Sequence, residues 1–91
     1  MRLDKFLQVS GLVRRRALAA EVCAAGRVQR NGRAARASAP VAPGDVLRID
    51  YGWRVLTVRV DAVPERPTPP GERGALYTVL EDARSRGDEP G

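Results

Sequence analysis

Ninety-one residues with 16 Lys or Arg against 11 Asp or Glu, a net charge of +5, describe one small basic domain, too short for a second core. With no histidine and Cys23 as its single cysteine, the chain excludes an intrachain disulfide and the common Cys/His zinc sites. No apolar run approaches the roughly 18 residues of a membrane span, and none follows the charged N-terminus as a secretory signal would, so the expectation is a cytoplasmic protein without a membrane partner, metal or cofactor.

The opening segment places Leu3, Phe6 and Leu7 at i, i+3 and i+4, which predicts a short helix ending near Ser10-Gly11 with Phe6 in the core. A second helix is expected from about Arg14 to Ala25. Leu18, Val22 and Ala25 repeat there on one face, alanine is abundant, and Gly26 supplies the stop. Cys23 is expected to pack rather than react. From Arg27 the period changes. Asn31-Gly32 is a favoured two-residue hairpin turn because both residues tolerate positive φ, so strands should flank it.

Pro43-Gly44-Asp45 marks a further turn. Leu47, Ile49 and Tyr51 then alternate with polar residues, as do Leu56, Val58 and Val60 beyond Gly52, which predicts an antiparallel pair with one buried face. The prolines of residues 63–74 read as an extended connector. Residues 75–84 form either a strand or a helix docking through Leu76, Tyr77, Val79 and Leu80, and residues 85–91 read as a frayed end. The predicted architecture is α+β, two N-terminal helices on a small, mainly antiparallel sheet. Its parts are a domain over residues 1–62, a connector over 63–74 and a C-terminal extension over 75–91.

Charge is distributed unevenly along this plan. Residues 1–36 carry nine cations against two anions, residues 37–62 three of each, and residues 63–91 four against six. A positive field confined to one half attracts polyanions, and RNA, DNA or an anionic membrane each fit it. Arg14, Arg15 and Arg16 open the predicted second helix, fanning by about 100° per residue. Cations there oppose the helix dipole, which favours an anion nearby. Arg27, Arg30, Arg33 and Arg36 recur every three residues around the hairpin and form a second basic rim. Asp4 is expected to orient a neighbouring arginine. Trp53, beside the Gly52 bend, is expected in core or edge packing rather than stacking on a base. No Ser/His or Cys/His pair, phosphate-cradling glycine loop with lysine, or concave carboxylate pair occurs, so a non-enzyme is expected.

The run Arg2-Leu3-Asp4-Lys5-Phe6-Leu7, then Arg15-Arg16 with Ala19, Gly26-Arg27-Val28, Asn31-Gly32, and Pro43-Gly44-Asp45 with Leu47 and Ile49 resembles the RNA-binding domain of the S4 type over roughly residues 1–60. Arg30 departs from the pattern, standing where that family usually has an apolar strand residue. Tyr77-Thr78-Val79-Leu80 and the short stand-alone form extend the likeness to the RqcP family of bacterial ribosome quality-control factors.

That resemblance implies a partner in large-subunit ribosomal RNA and in P-site peptidyl-tRNA on an obstructed large subunit, in support of C-terminal alanine tailing by RqcH, itself a possible direct partner. It also implies RNA contact through Arg2, Arg15 and Arg16 with Asp4 orienting them, and the basic N-terminal segment adds Lys5 and Arg14 to the expected RNA-binding residues. The second basic rim adds Arg27, Arg33 and Arg36, and a monomer in isolation is expected. The ribosome-associated heat-shock protein is the nearest alternative, and a helix-turn-helix DNA-binding module a more distant one.

Overall fold

Leu3, Phe6 and Leu7 are wholly withdrawn from water on α1 (Leu3–Val9), so the opening helical spacing is the one the core uses. The computed structural model describes residues 1–64 and 70–84. At the end of α1 the Ser10 hydroxyl donates to the Leu7 carbonyl and accepts from the Leu12 amide. Gly11 follows with φ +81°, a conformation that costs glycine little, and the chain turns back with Leu12 and Val13 buried.

The second helix, α2, spans Arg16–Ala24 and so begins two residues later than expected. Arg15 is extended at φ −121°, ψ 139°, and only its carbonyl joins the helix, accepting from the Ala19 amide at 2.9 Å. Arg14 and Arg15 therefore belong to the α1–α2 loop, and the predicted fan of three helical arginines reduces to Arg16. The buried face also differs. Ala19 and Cys23 enter the core, whereas Leu18 is 46% exposed. Apart from Leu18 and Glu21, residues 17–25 are small and apolar, so periodicity leaves the rotation of this helix poorly determined, and the small side chains allow closer approach.

Five strands follow: β1 (Val28–Arg30), β2 (Arg33–Ala34), β3 (Val46–Asp50), β4 (Arg54–Val60) and β5 (Tyr77–Arg84). They form one antiparallel sheet in the order β2-β1-β3-β4-β5. The predicted hairpin is present in register. Arg30 pairs with Arg33, and Asn31 (φ +52°) and Gly32 (φ +86°) make the two-residue turn with the positive φ pair that suits strand twist. The alternating residues Leu47, Ile49, Leu56, Val58 and Val60 supply the sheet's inner face, packed with the buried faces of both helices.

The segment left open between strand and helix is β5, paired with β4 from Arg54–Arg84 to Val60–Tyr77 with one bulge beside Thr57 and Val58. A 3-10 helix, Pro70–Leu76, leads into it, so the last part of the proline-rich segment is not extended. Leu76 is buried and Tyr77 half-buried, as docking required. Val79 and Leu80, expected to dock with them, are instead 47% and 51% exposed. β5 is the outermost strand, and its outer edge has no neighbour among the described residues. Residues 65–69 of the connector and the C-terminal residues 85–91 lie outside the described residues.

Asp45 ties the β1–β2 hairpin to the turn before β3. Its carboxylate accepts from Arg30 Nε (2.9 Å), Asn31 Nδ2 (3.2 Å) and the Ala42 amide (2.9 Å), while Asn31 Oδ1 accepts from the Val46 amide. Arg30, at an apolar position of the family pattern, is thereby held in a partly buried ion pair. Asp45→Ala should lower unfolding stability by about 2 kcal/mol, since three donors lose one acceptor; urea denaturation checks it, and a change under about 0.5 kcal/mol, the scale of an ordinary surface substitution, would refute the clasp. Burial, helped by the charge of Asp4, pushes the Cys23 thiol up to about 11. A disulfide reagent at pH 8 should accordingly react with it far more slowly in the folded protein than in urea.

Candidate RNA-binding surface

Residues 36–41 run as a strap across the start of α1. Leu3 and Asp4 donate their amides to the carbonyls of Ala39 (2.8 Å) and Ala37 (3.1 Å), the Val41 amide donates to the Met1 carbonyl (2.9 Å), and Arg2 forms a β-bridge with Pro40. The first helical turn, which has no side-chain cap, thus has two of its orphan donors satisfied by the strap. Asp4 sits beneath this junction, only 4% exposed.

Its carboxylate accepts from the Lys5 amide at 2.8 Å and from Arg2 Nε and Nη2 at 3.3 and 3.5 Å, and it pairs with Arg16 Nε at 3.4 Å. Burial pushes the Asp4 carboxyl up. The Lys5 amide and the guanidinium groups of Arg2 and Arg16 outweigh burial, and its pKa ends below the usual carboxylate value. Two arginines fourteen positions apart in sequence are thereby drawn to one carboxylate, with their side chains still 54% and 51% exposed. A guanidinium held through Nε keeps outward N–H donors for a second, external anion.

Pro40, bridged to Arg2, also lines a surface depression of about 610 Å³ whose wall includes Arg30, Arg33 and Arg36. The strap therefore joins the Arg2–Asp4–Arg16 clamp to the hairpin arginines. Arg30 is spoken for by Asp45. Arg33 and Arg36 are exposed and make no ion pair among the described residues. Arg27 lies elsewhere. Its carbonyl accepts from the Asp50 amide and its guanidinium lies against Gly52, at the end of β1 opposite the hairpin tip. The predicted rim of four arginines is thus divided, with two facing the depression, one neutralised and one at the far end of the sheet. Lys5, Arg14 and Arg15 are exposed beside the clamp's own elements. The strap went unread in the sequence because nothing in Ala37-Ser38-Ala39-Pro40 marks a partner; its bonds are all main-chain.

Among the described residues no three His, Cys, Asp or Glu side chains are grouped to hold a metal ion, and no helix is long and apolar enough to cross a membrane.

Residues 1–47 match the S4 domain family. Over 84 residues the chain is 44% identical to the RQC P-site tRNA stabilizing factor of Bacillus subtilis, covering 92% of this chain and 96% of that one. The chain belongs to the S4 domain family, among its RQC P-site tRNA stabilizing factors. Solved structures carry the same fold. A trimeric Heat Shock Protein 15 of Vibrio cholerae superposes with a TM-score of 0.81 at 26% identity, covering 88% of this chain and 81% of that one. The solution structure of the hypothetical protein HP1423 gives 0.76 at 34% identity, covering 89% and 98%. In this S4 domain the strap, α1 and the start of α2 meet at one buried carboxylate.

A depressed carboxyl contributes stability that is present above its unfolded value, near pH 4, and is lost as pH falls through the lower folded value. Asp4→Asn should therefore be less stable than the unmodified protein at pH 7, and the gap should narrow below about pH 4. Thermal melts across pH 2.5–7 measure this, and parallel curves would exclude a working carboxylate clamp.

Proposed function

We propose that the chain is a non-catalytic, cytoplasmic RNA-binding factor that engages large ribosomal subunits obstructed by peptidyl-tRNA. It contacts ribosomal RNA and P-site tRNA and supports RqcH-dependent C-terminal alanine tailing. The observation that carries this reading is the clamp: Asp4 holds Arg2 and Arg16 together while leaving both half exposed. The name shared by its relatives, a factor stabilising P-site tRNA, supports the choice of RNA and of ribosome.

Chemically the clamp suits phosphate. Structured RNA hides its base edges in a deep, narrow major groove, so a protein of this size reads shape and backbone. Arginine forks fit phosphate oxygens in pairs, and restraint by Asp4 removes part of the side-chain entropy otherwise lost on binding. Lys5, Arg14, Arg15, Arg33 and Arg36 extend the positive surface, whereas Arg27 serves a different part of it.

A second reading within the same chemistry is the rescue of large subunits that the family resemblance offers as its alternative, and the likeness to Heat Shock Protein 15 is the observation beside it. A DNA-reading helix is disfavoured because, after Arg16, α2 exposes Ala17, Leu18, Glu21 and Ala24 and none of the Asn, Gln, Ser or Arg that a recognition helix aims at base edges.

Arg2→Ala and Arg16→Ala should each weaken binding to purified large subunits and each lower the slope of log K against log salt by about 1. Unchanged affinity and slope in the double variant would end the phosphate assignment. Recovery of large subunits with peptidyl-tRNA and RqcH on a tagged copy, against their recovery without RqcH, separates quality control from rescue.

A further inference from the structure

The β3–β4 turn lies at the end of the sheet opposite the Asn31-Gly32 hairpin and carries Trp53, the single tryptophan. Trp53 is 48% exposed. An indole normally returns a large burial contribution, and here about half of it is forgone on a turn that folding could have made from a small polar residue. The ring is nevertheless held in place. Tyr51 lies against it at 6.4 Å between centroids, tilted by 36°, and the Tyr51 hydroxyl donates to the Leu12 carbonyl at 2.8 Å. Leu12 is two and three residues before the exposed Arg14 and Arg15, so the aromatic pair is tied directly to the basic α1–α2 loop.

Guanidinium groups surround the indole. Arg54 and Arg84, facing partners across β4 and β5, lie 5.9 and 5.7 Å from its centroid. Two bonds of 2.8 Å to Asp82 lock Arg54, and the Arg27 guanidinium lies against Gly52. Among the described residues the carboxylates at this end are Asp82 and Asp50, the latter accepting from the Gly52 amide, so three described cations face two described anions.

This combination selects a ligand. A cationic guest such as a methylated ammonium would meet guanidinium groups already at the ring, so a cation-binding cage is excluded by like charge. A flat, uncharged ring attached to an anion satisfies both parts: its face stacks on the half-exposed indole and its phosphate meets the guanidinium groups. We propose that Trp53, with Arg54 and Arg84, is a stacking platform for one unpaired nucleobase of bound RNA. It is a contact separate from the Arg2–Asp4–Arg16 clamp, at the other end of α1. It rests on the reading of the chain as an RNA binder and adds what the clamp lacks, a preference for RNA with an extruded base over fully paired RNA.

With one tryptophan in the chain, intrinsic fluorescence reports on the platform directly. The probes are an RNA hairpin with a single-nucleotide bulge and the same hairpin fully paired. The bulged hairpin should quench Trp53 saturably and bind more tightly. Trp53→Ala should weaken the bulged hairpin roughly 5- to 150-fold, the loss seen when a stacking aromatic is removed, and leave the paired hairpin unchanged. Trp53→Phe should recover much of the loss, and Arg84→Ala should weaken the bulged hairpin preferentially. Arg16→Ala should weaken both hairpins alike. If Arg16-dependent binding persists while Trp53→Ala changes neither hairpin, or if only ribosomal protein quenches the fluorescence, the platform is overturned and the clamp stands. If neither RNA binds the unmodified protein, the RNA reading fails and the platform with it.

Discussion

One carboxylate, almost wholly removed from water, organises the front of this molecule. Asp4 on the first turn of α1 would be costly to bury unpaired, and its position is tolerable only because a backbone amide and two guanidinium groups meet it there. The requirement works in both directions. The carboxylate needs cations from Arg2 and Arg16, and those cations, once drawn in, are fixed at the junction of the two helices with their outer donors still in water. Without Asp4 the same arginines would be flexible surface charges, each losing rotamer freedom on meeting a phosphate.

The rest of the fold supplies a rigid base for that junction. Main-chain bonds from the strap at residues 36–41 take up the first amides of α1, and the strap is in turn continuous with the hairpin that Asp45 secures. Two carboxylates thus do related work at different sites. Asp45 absorbs Arg30 and stabilises a turn, so that arginine is structural. Asp4 holds arginines without burying them, so those remain available. Partner and exposure together, rather than residue type, separate a cation absorbed into the fold from one left open to solvent in this chain.

The division of the basic residues also gives the surface two ends. Arg33 and Arg36 border the depression beside the clamp, whereas Arg27 joins Trp53, Arg54 and Arg84 at the opposite end of the sheet. Both ends are built on turns held by a side-chain bond to distant backbone: Asn31 Oδ1 accepting from the Val46 amide at one, the Tyr51 hydroxyl donating to the Leu12 carbonyl at the other. An extended polyanion meeting both ends would be read by charge at the first and by the state of a base at the second.

Local chemistry made much of this legible before any coordinates. Leu3, Phe6 and Leu7 specify one face of a helix within five residues, Asn31-Gly32 specifies a turn within two, and alternation from Leu47 to Val60 specifies strands with a buried side; each signal is complete inside its own element, as is the concentration of arginine in the first 36 residues. The rotation of α2, the nature of residues 77–84 and the fate of each arginine were decided only by docking. A helix made of small apolar side chains has no strongly preferred face, a strand at the sheet edge is chosen by the neighbour it pairs with, and an ion pair is a relation between elements. Asp4 meets Arg16 from twelve positions away, Arg30 meets Asp45 from fifteen, and Arg54 meets Asp82 from twenty-eight. Such distances close only when the core forms, because burial of the shared apolar face brings those side chains within reach of one another.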